Sequence, residues 1–176
     1  WCGPSSRRPS LPSTSDVFIG EIAENAAEAL TIDLVDGPLT LAAFGMDVDS
    51  TLSVGGLAFT DNAATISIAG GSSPGPVEGV FSLDDIGFSF DPDTGVIRID
   101  PAGFSDVLTE DLFDGETATV GVPFTLADLE GASSGGVLSF SVTGVGEAPS
   151  LVVTTTADVV DEFDGQTSLR EAVNFA

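Results

Sequence analysis

The sequence predicts an all-β chain folded as an antiparallel β-sandwich of the cadherin or immunoglobulin kind. Three observations carry this. Short runs alternate apolar and polar residues with the period of a half-buried strand. Turn-forming residues recur every ten residues or so, the spacing of antiparallel sandwich strands. The chain of 176 residues is 42% hydrophobic, enough to bury a core of about two thirds of its unfolded surface.

The clearest element is a hairpin over residues 88–100. Phe88 and Phe90 alternate with Ser89 and Asp91, and Ile97 and Ile99 alternate with Arg98 and Asp100. Between them Asp91-Pro92-Asp93-Thr94-Gly95 supplies the turn. Pro92 presets φ, the Asp side chains accept nearby backbone N–H groups, and Gly95 can take φ > 0. A lone hairpin is not stable in water, so flanking strands must cover its apolar face.

Along the chain, residues 1–15 stand apart. They hold the only Trp and Cys, two of the four arginines and no acid, and read as a linker or extraneous segment. The sandwich is expected over 16–149. Leu30, Ile32 and Leu34 mark one strand, and Asp36-Gly37-Pro38 turns the chain into a second at Leu39, Leu41 and Ala43. Leu52 and Val54, then Leu57 and Phe59, follow around Gly55-Gly56, and Ile66 and Ile68 alternate with polar neighbours. Residues 70–76 are a flexible connector and 101–116 an irregular acidic crossing. Two long strands close the domain, with Val120, Val122, Phe124 and Leu126 on one inward face and Leu138, Phe140 and Val142 on the other. The predicted core is Phe90, Ile97, Ile99, Phe124, Leu138, Phe140 and Val142.

The last segment, 150–176, departs from this pattern. A strand over 151–156 precedes Ser168-Leu169-Arg170-Glu171, a capping box that opens a short helix. Its Leu169, Ala172 and Val173 form an apolar stripe that asks for a surface. Trp1 in place of Met, and a helix without an evident partner, suggest a fragment of a longer protein.

Charge narrows the function. There are 28 acids against four arginines, no lysine and no histidine, for a formal charge of −24. Nucleic acid and anionic membranes both require cationic patches and are excluded as partners. No apolar run approaches a membrane span. The counterions that such a chain attracts are metal cations, and its charge is read either as solubility in a salty extracellular setting or as specific calcium binding. With His, Lys and Tyr absent, a catalytic triad, a Schiff base or a thiolate-imidazole metal site lacks its materials, so no catalytic residue is assigned. A pair among 28 acids says nothing about glycoside hydrolysis.

Two resemblances sharpen this reading. Val153-Thr154-Thr155-Thr156-Ala157-Asp158, followed by 164–173 with its Ser-Leu-Arg-Glu-Ala core, resembles the opening of the CSLREA family. Those secreted bacterial proteins continue into a right-handed parallel β-helix, and Thr167 stands where the family name places Cys. The resemblance implies that 150–176 is the start of a cap on such a β-helix.

Residues 16–149 resemble the cadherin-like and VCBS-type repeats of large bacterial surface and RTX-type proteins. The pieces that carry this come in order: Ala23-Glu24-Asn25, Asp47-Val48-Asp49-Ser50, the 91–95 turn, Asp114-Gly115-Glu116, 124–128, and the closing 142–149, where Gly146-Glu147-Ala148-Pro149 replaces the family's Asn-Asp-Ala-Pro. The resemblance implies a calcium-stabilised module with Glu24, Asp114, Glu116 and Asp128 near one end of the sandwich and Asp47 and Asp49 near the other. For each of these acids the other reading is ordinary turn chemistry with a solvated side chain.

Three functions follow: a structural or adhesive spacer of a large secreted or cell-surface bacterial protein, the leading end of a β-helix polysaccharide-degrading enzyme whose active site lies downstream, or a carbohydrate-binding module. The spacer is the favoured one. Its partners would be neighbouring repeats of the same polypeptide and cell-surface glycans or proteins.

Overall fold

A computed structural model describes residues 11–47, 51–70, 75–109, 112–113, 115–145, 152–156, 160 and 167–175. Among the described residues eleven strands form: β1 (Ser13–Thr14), β2 (Val17–Ala23), β3 (Leu30–Asp33), β4 (Gly45–Met46), β5 (Leu52–Phe59), β6 (Thr65–Ala69), β7 (Gly75–Pro76), β8 (Ile86–Asp91), β9 (Val96–Phe104), β10 (Thr117–Asp128) and β11 (Ser133–Thr143). Two α-helices, α1 (Asp106–Thr109) and α2 (Leu169–Phe175), and a 3-10 turn at Leu41–Ala43 accompany them.

The sandwich has a larger sheet in the order β2-β11-β10-β6-β7, with β5 also on β10, and a smaller sheet in the order β3-β9-β8. β10 and β11 form the spine, paired antiparallel from Thr117↔Thr143 to Ala127↔Ser133. Their strict alternation turns Val120, Val122, Phe124, Leu126, Leu138, Phe140 and Val142 inward, where all are buried. On its other side β10 meets β6 at residues 117–121 and β5 at residues 124–128. Gly56 permits this second contact, because a Cβ there would lie 2.2 Å from the Ala127 carbonyl oxygen.

The expected hairpin is β8–β9, in register from Asp91↔Val96 to Phe88↔Ile99. Asp91 organises the turn: its Oδ1 accepts the Asp93 N–H (2.9 Å) and its Oδ2 the Thr94 hydroxyl (2.8 Å). Gly95 has φ +74° and donates its N–H to the Asp91 carbonyl. Ile97 and Ile99 are fully buried, while Phe90 is only partly buried and packs on the margin of the core.

Aromatic rings tie the two sheets together. Phe59 of the larger sheet meets Phe88 and Phe90 of the smaller one edge-on, with ring centroids 4.7 and 5.2 Å apart. Phe44 closes the cluster from outside any strand, 5.2 Å from Phe124. Phe44, Leu108 and Leu112 are as buried as the expected core residues and extend it.

Several expectations are corrected. Residues within the supposed 1–15 linker belong to the sandwich: Ser13–Thr14 pairs with Gly45–Met46, and the Thr14 hydroxyl donates to the Gly135 carbonyl. The sandwich is not purely antiparallel, because β2, not foreseen as a strand, runs parallel to β11. Leu41–Ala43 is a turn of 3-10 helix rather than a strand, closed by the N–H of Phe44 on the Leu41 carbonyl at 3.0 Å. Residues 101–104 continue β9 past Pro101, where a register shift at Gly87 absorbs the irregularity.

In the C-terminal segment the helix forms, with the Glu171 carboxylate accepting the Ser168 N–H and the Ser168 hydroxyl accepting the Glu171 N–H. The expected strand does not form among the described residues of 152–156. The N–H groups of Thr154 and Thr155 instead donate to the Thr167 carbonyl. Ala172 is buried, outside the sandwich core, while Leu169 and Val173 are exposed. Among the described residues no helix is long and apolar enough to cross a membrane.

Candidate functional site

Strand order sets the first acidic pair. Thr143, the last residue of β11, lies between Ala23 at the end of β2 and Thr117 at the start of β10. Glu24 follows Ala23 and donates its N–H to the Thr143 carbonyl (3.1 Å), while the Glu116 carbonyl accepts the Gly144 N–H (3.1 Å). Both glutamates therefore flank the exit of the chain from β11. Their carboxylates are held in place: Glu24 Oε1 accepts the Val145 N–H (2.9 Å) and Glu116 Oε2 the Phe113 N–H (3.0 Å). Glu24 is 5% exposed and Glu116 8%.

The close packing of Leu112 and Phe113 on the exit requires Gly144. A Cβ at that position would lie 2.2 Å from the Phe113 carbonyl oxygen. Asp114, expected beside Glu116, lies outside the described residues.

Asp128 corrects the expected grouping. It ends β10, a strand of twelve residues that starts at Thr117, so at about 3.3 Å per residue it stands roughly 40 Å along the strand from Glu116. The ordering of short motifs in the sequence does not carry this distance; the length of the strand does. Asp128 instead organises the β10–β11 turn, its Oδ1 accepting the N–H groups of Glu130 and Ala132, both at 2.8 Å. Its side chain is 8% exposed, and its Oδ2 is buried with no hydrogen-bond partner among the described residues.

Asp47 belongs to that same end. It follows β4, where Gly45 lies against Leu126, and the connection that carries it re-enters the larger sheet at Leu52, opposite Asp128. Asp49 lies outside the described residues. The four described acids thus sort into Glu24 with Glu116 at one end and Asp47 with Asp128 at the other. Among the described residues, no three acid, Cys or His side chains converge on one point.

Compared with known proteins, the chain matches no family model and no curated sequence. Assignment of the acids therefore rests on geometry and chemistry. Carboxylate oxygens suit a hard cation such as calcium, which takes six to eight oxygen ligands and accepts backbone carbonyls and water among them. A buried carboxylate oxygen without a partner is costly unless a donor or cation reaches it. Asp128 meets that description, and with no lysine or histidine in the sequence the protein's own cations are arginines alone.

Other acids hold turns. Asp33 accepts the N–H groups of Val35 and Asp36, which draw its pKa below the usual value. The Ser82 hydroxyl and N–H do the same for Asp85, and the Thr94 hydroxyl with the Asp93 N–H for Asp91. Asp100 is lowered by Arg98 and the Ala102 N–H; Arg98 and Asp100 form an exposed ion pair of little net worth. Turn donors thus hold Asp33, Asp85 and Asp91, while Asp100 lies within β9. What the sequence did not reveal is the part played by the Phe113 and Val145 N–H groups in fixing the two glutamates, because both are backbone donors without a side-chain signature.

Proposed function

We propose that this chain is a non-catalytic structural or adhesive module of a large secreted or cell-surface bacterial protein, rigidified by calcium at its two ends. The observation that carries the reading is the distribution of the described acids: buried Glu24 and Glu116 at one end of β10, buried Asp128 with half-buried Asp47 at the other, and Asp128 Oδ2 lacking a partner among the described residues. Acids at opposite ends suit a unit joined head to tail to its neighbours, because each junction can then draw ligands from two modules.

In this reading Glu24 and Glu116 hold a cation beside the chain's exit from β11, with Asp114 as a further donor, and Asp47 and Asp128 do so at the opposite end, with Asp49. Calcium supplies charge neutralisation and cross-links connections that otherwise repel one another. The protein's part is to place the carboxylates: backbone N–H groups orient one oxygen of Glu24, Glu116 and Asp128.

Thermal melting with calcium against magnesium at matched ionic strength is the test. Calcium at a hundredfold excess over its dissociation constant adds about 2.7 kcal/mol, roughly 8 to 10 °C for a domain of this size. Glu24→Gln with Glu116→Gln should remove the shift due to that end, and Asp128→Asn the shift due to the other. Equal shifts for both ions, unaltered by these substitutions, would mean general screening and no site.

A further inference from the structure

Past the end of β11 the chain is still held, and by side chains remote from it in sequence. Glu24 grips it at two points: its N–H donates to the Thr143 carbonyl (3.1 Å), and its Oε1 accepts the Val145 N–H (2.9 Å) across 121 residues of sequence. Between these points the Gly144 N–H donates to the Glu116 carbonyl (3.1 Å). Successive backbone groups of Thr143, Gly144 and Val145 are therefore all bonded to other parts of the sandwich.

Each anchor is itself fixed. Ala23 pairs with Thr143 in the parallel β2–β11 ladder, and the Ala26 N–H on the Ala23 carbonyl (3.1 Å) closes a turn around Glu24. Glu24 is buried, which shields its bond to Val145 from competing water. On the other side Phe113 and Glu116 are bonded in both directions, the Glu116 N–H to the Phe113 carbonyl and the Phe113 N–H to Glu116 Oε2, both at 3.0 Å. Fully buried Leu112 roots this stretch in the core. Gly144 lies directly against it: a Cβ there would stand 2.2 Å from the Phe113 carbonyl oxygen and 2.9 Å from that of Leu112. At the opposite end of β2 the exposed Asp16 accepts the Val137 N–H (3.1 Å), but Val137 already lies within β11, whereas Val145 lies outside any strand.

We infer that Glu24 is a positioning residue that fixes the direction in which the chain leaves the sandwich. A strand end ordinarily frays, because its last backbone groups exchange a protein partner for water at little cost. Here the first amide beyond Gly144 is bonded to a buried carboxylate, a stronger acceptor than a neutral oxygen, and Gly144 is seated on the Phe113 backbone. The segment beyond Val145 thus starts from a rigid foot. These bonds are made by the protein alone, so the latch holds with or without a cation at this end.

Backbone amide relaxation of the whole chain in EDTA tests this apart from the calcium reading, which is scored on added calcium, so either can fail alone. In the unsubstituted chain the Val145 N–H should have an order parameter of about 0.85, that of rigid backbone, and Glu24→Ala should lower it below about 0.6 while Val120 and Val142 keep theirs. Amide exchange at Val145 should quicken by roughly tenfold or more, as expected on losing a hydrogen bond to a charged acceptor. Glu24→Gln, whose amide oxygen offers the same acceptor, should keep Val145 rigid, and Asp16→Ala should leave it untouched. Gly144→Ala, which keeps Glu24 but pushes the chain off Phe113, should loosen Val145 as Glu24→Ala does. A Val145 amide already mobile in the unsubstituted chain overturns the inference. So does one that stays rigid in both Glu24→Ala and Gly144→Ala, a Glu24→Gln chain as loose as Glu24→Ala, or a loss of order at Val120 and Val142 equal to that at Val145.

Discussion

Replacing Phe44 with Ala removes a ring that no strand carries and tests how the core is closed. Phe44 is fully buried and meets Phe124 at 5.2 Å and 72° and Phe59 at 6.5 Å and 83°. Truncating a buried Phe to Ala costs about 3 to 5 kcal/mol through lost transfer energy and the cavity left behind. Edge-to-face pairs contribute about 0.5 to 1.5 kcal/mol each beyond area, which places Phe44→Ala in the upper part of that range, at about 4 kcal/mol. At roughly 3 to 4 °C per kcal/mol, the melting temperature should fall by about 12 to 16 °C. Urea unfolding at low salt measures the loss directly as a lower midpoint with an unchanged slope. Phe18→Ala, with its outward ring, serves as control and should change stability by less than about 1 kcal/mol. A loss below about 1.5 kcal/mol for Phe44→Ala at constant slope would show that the 3-10 turn does not seal the core.

Two further outcomes are expected. Gly56→Ala must push a Cβ towards an oxygen 2.2 Å away and should cost about 1 to 3 kcal/mol, whereas its neighbour Gly55→Ala meets only Ser53 Oγ at 4.0 Å and should be tolerated in urea unfolding. Asp91 has a folded pKa below its ordinary value of 3.8, so its contribution is complete above the unfolded pKa and is lost as pH falls through the folded one. Asp91→Asn should flatten the acid limb of the melting temperature below pH ~4; superimposable acid limbs would contradict the turn hydrogen bonds.

What the sequence made legible was local. β10 and β11 alternate without interruption, and the 91–95 turn combines Pro, Asp and Gly at positions where each has a distinct backbone role. Leu39, Leu41 and Ala43 also fit period two, yet Leu41–Ala43 forms a 3-10 turn that delivers the off-phase Phe44 to the core. β1 and β4 are two residues each, too short for any periodicity, and their pairing spans a long stretch of chain. In β2 the bulge around Gly20, with φ +139°, shifts the buried phase from Val17 and Ile19 to Ile22. Its parallel direction is a property of topology that alternation does not encode. The candidate acids were found from their order, but their grouping needed strand length, which placed Asp128 with Asp47 instead of Glu116.

The parallel pairing of β2 with β11 has a mechanical meaning. The chain enters β2 at one end of the larger sheet and leaves β11 at the other, so tension along the polypeptide pulls these adjacent strands in opposite directions along their common axis. The pairing from Leu138↔Val17 to Thr143↔Ala23 is then loaded lengthwise, and its hydrogen bonds resist together instead of opening one after another from an end. Forced unfolding is set by the rate of crossing that barrier rather than by equilibrium stability. Under such a load the clamp of this fold lies between its first long strand and its last.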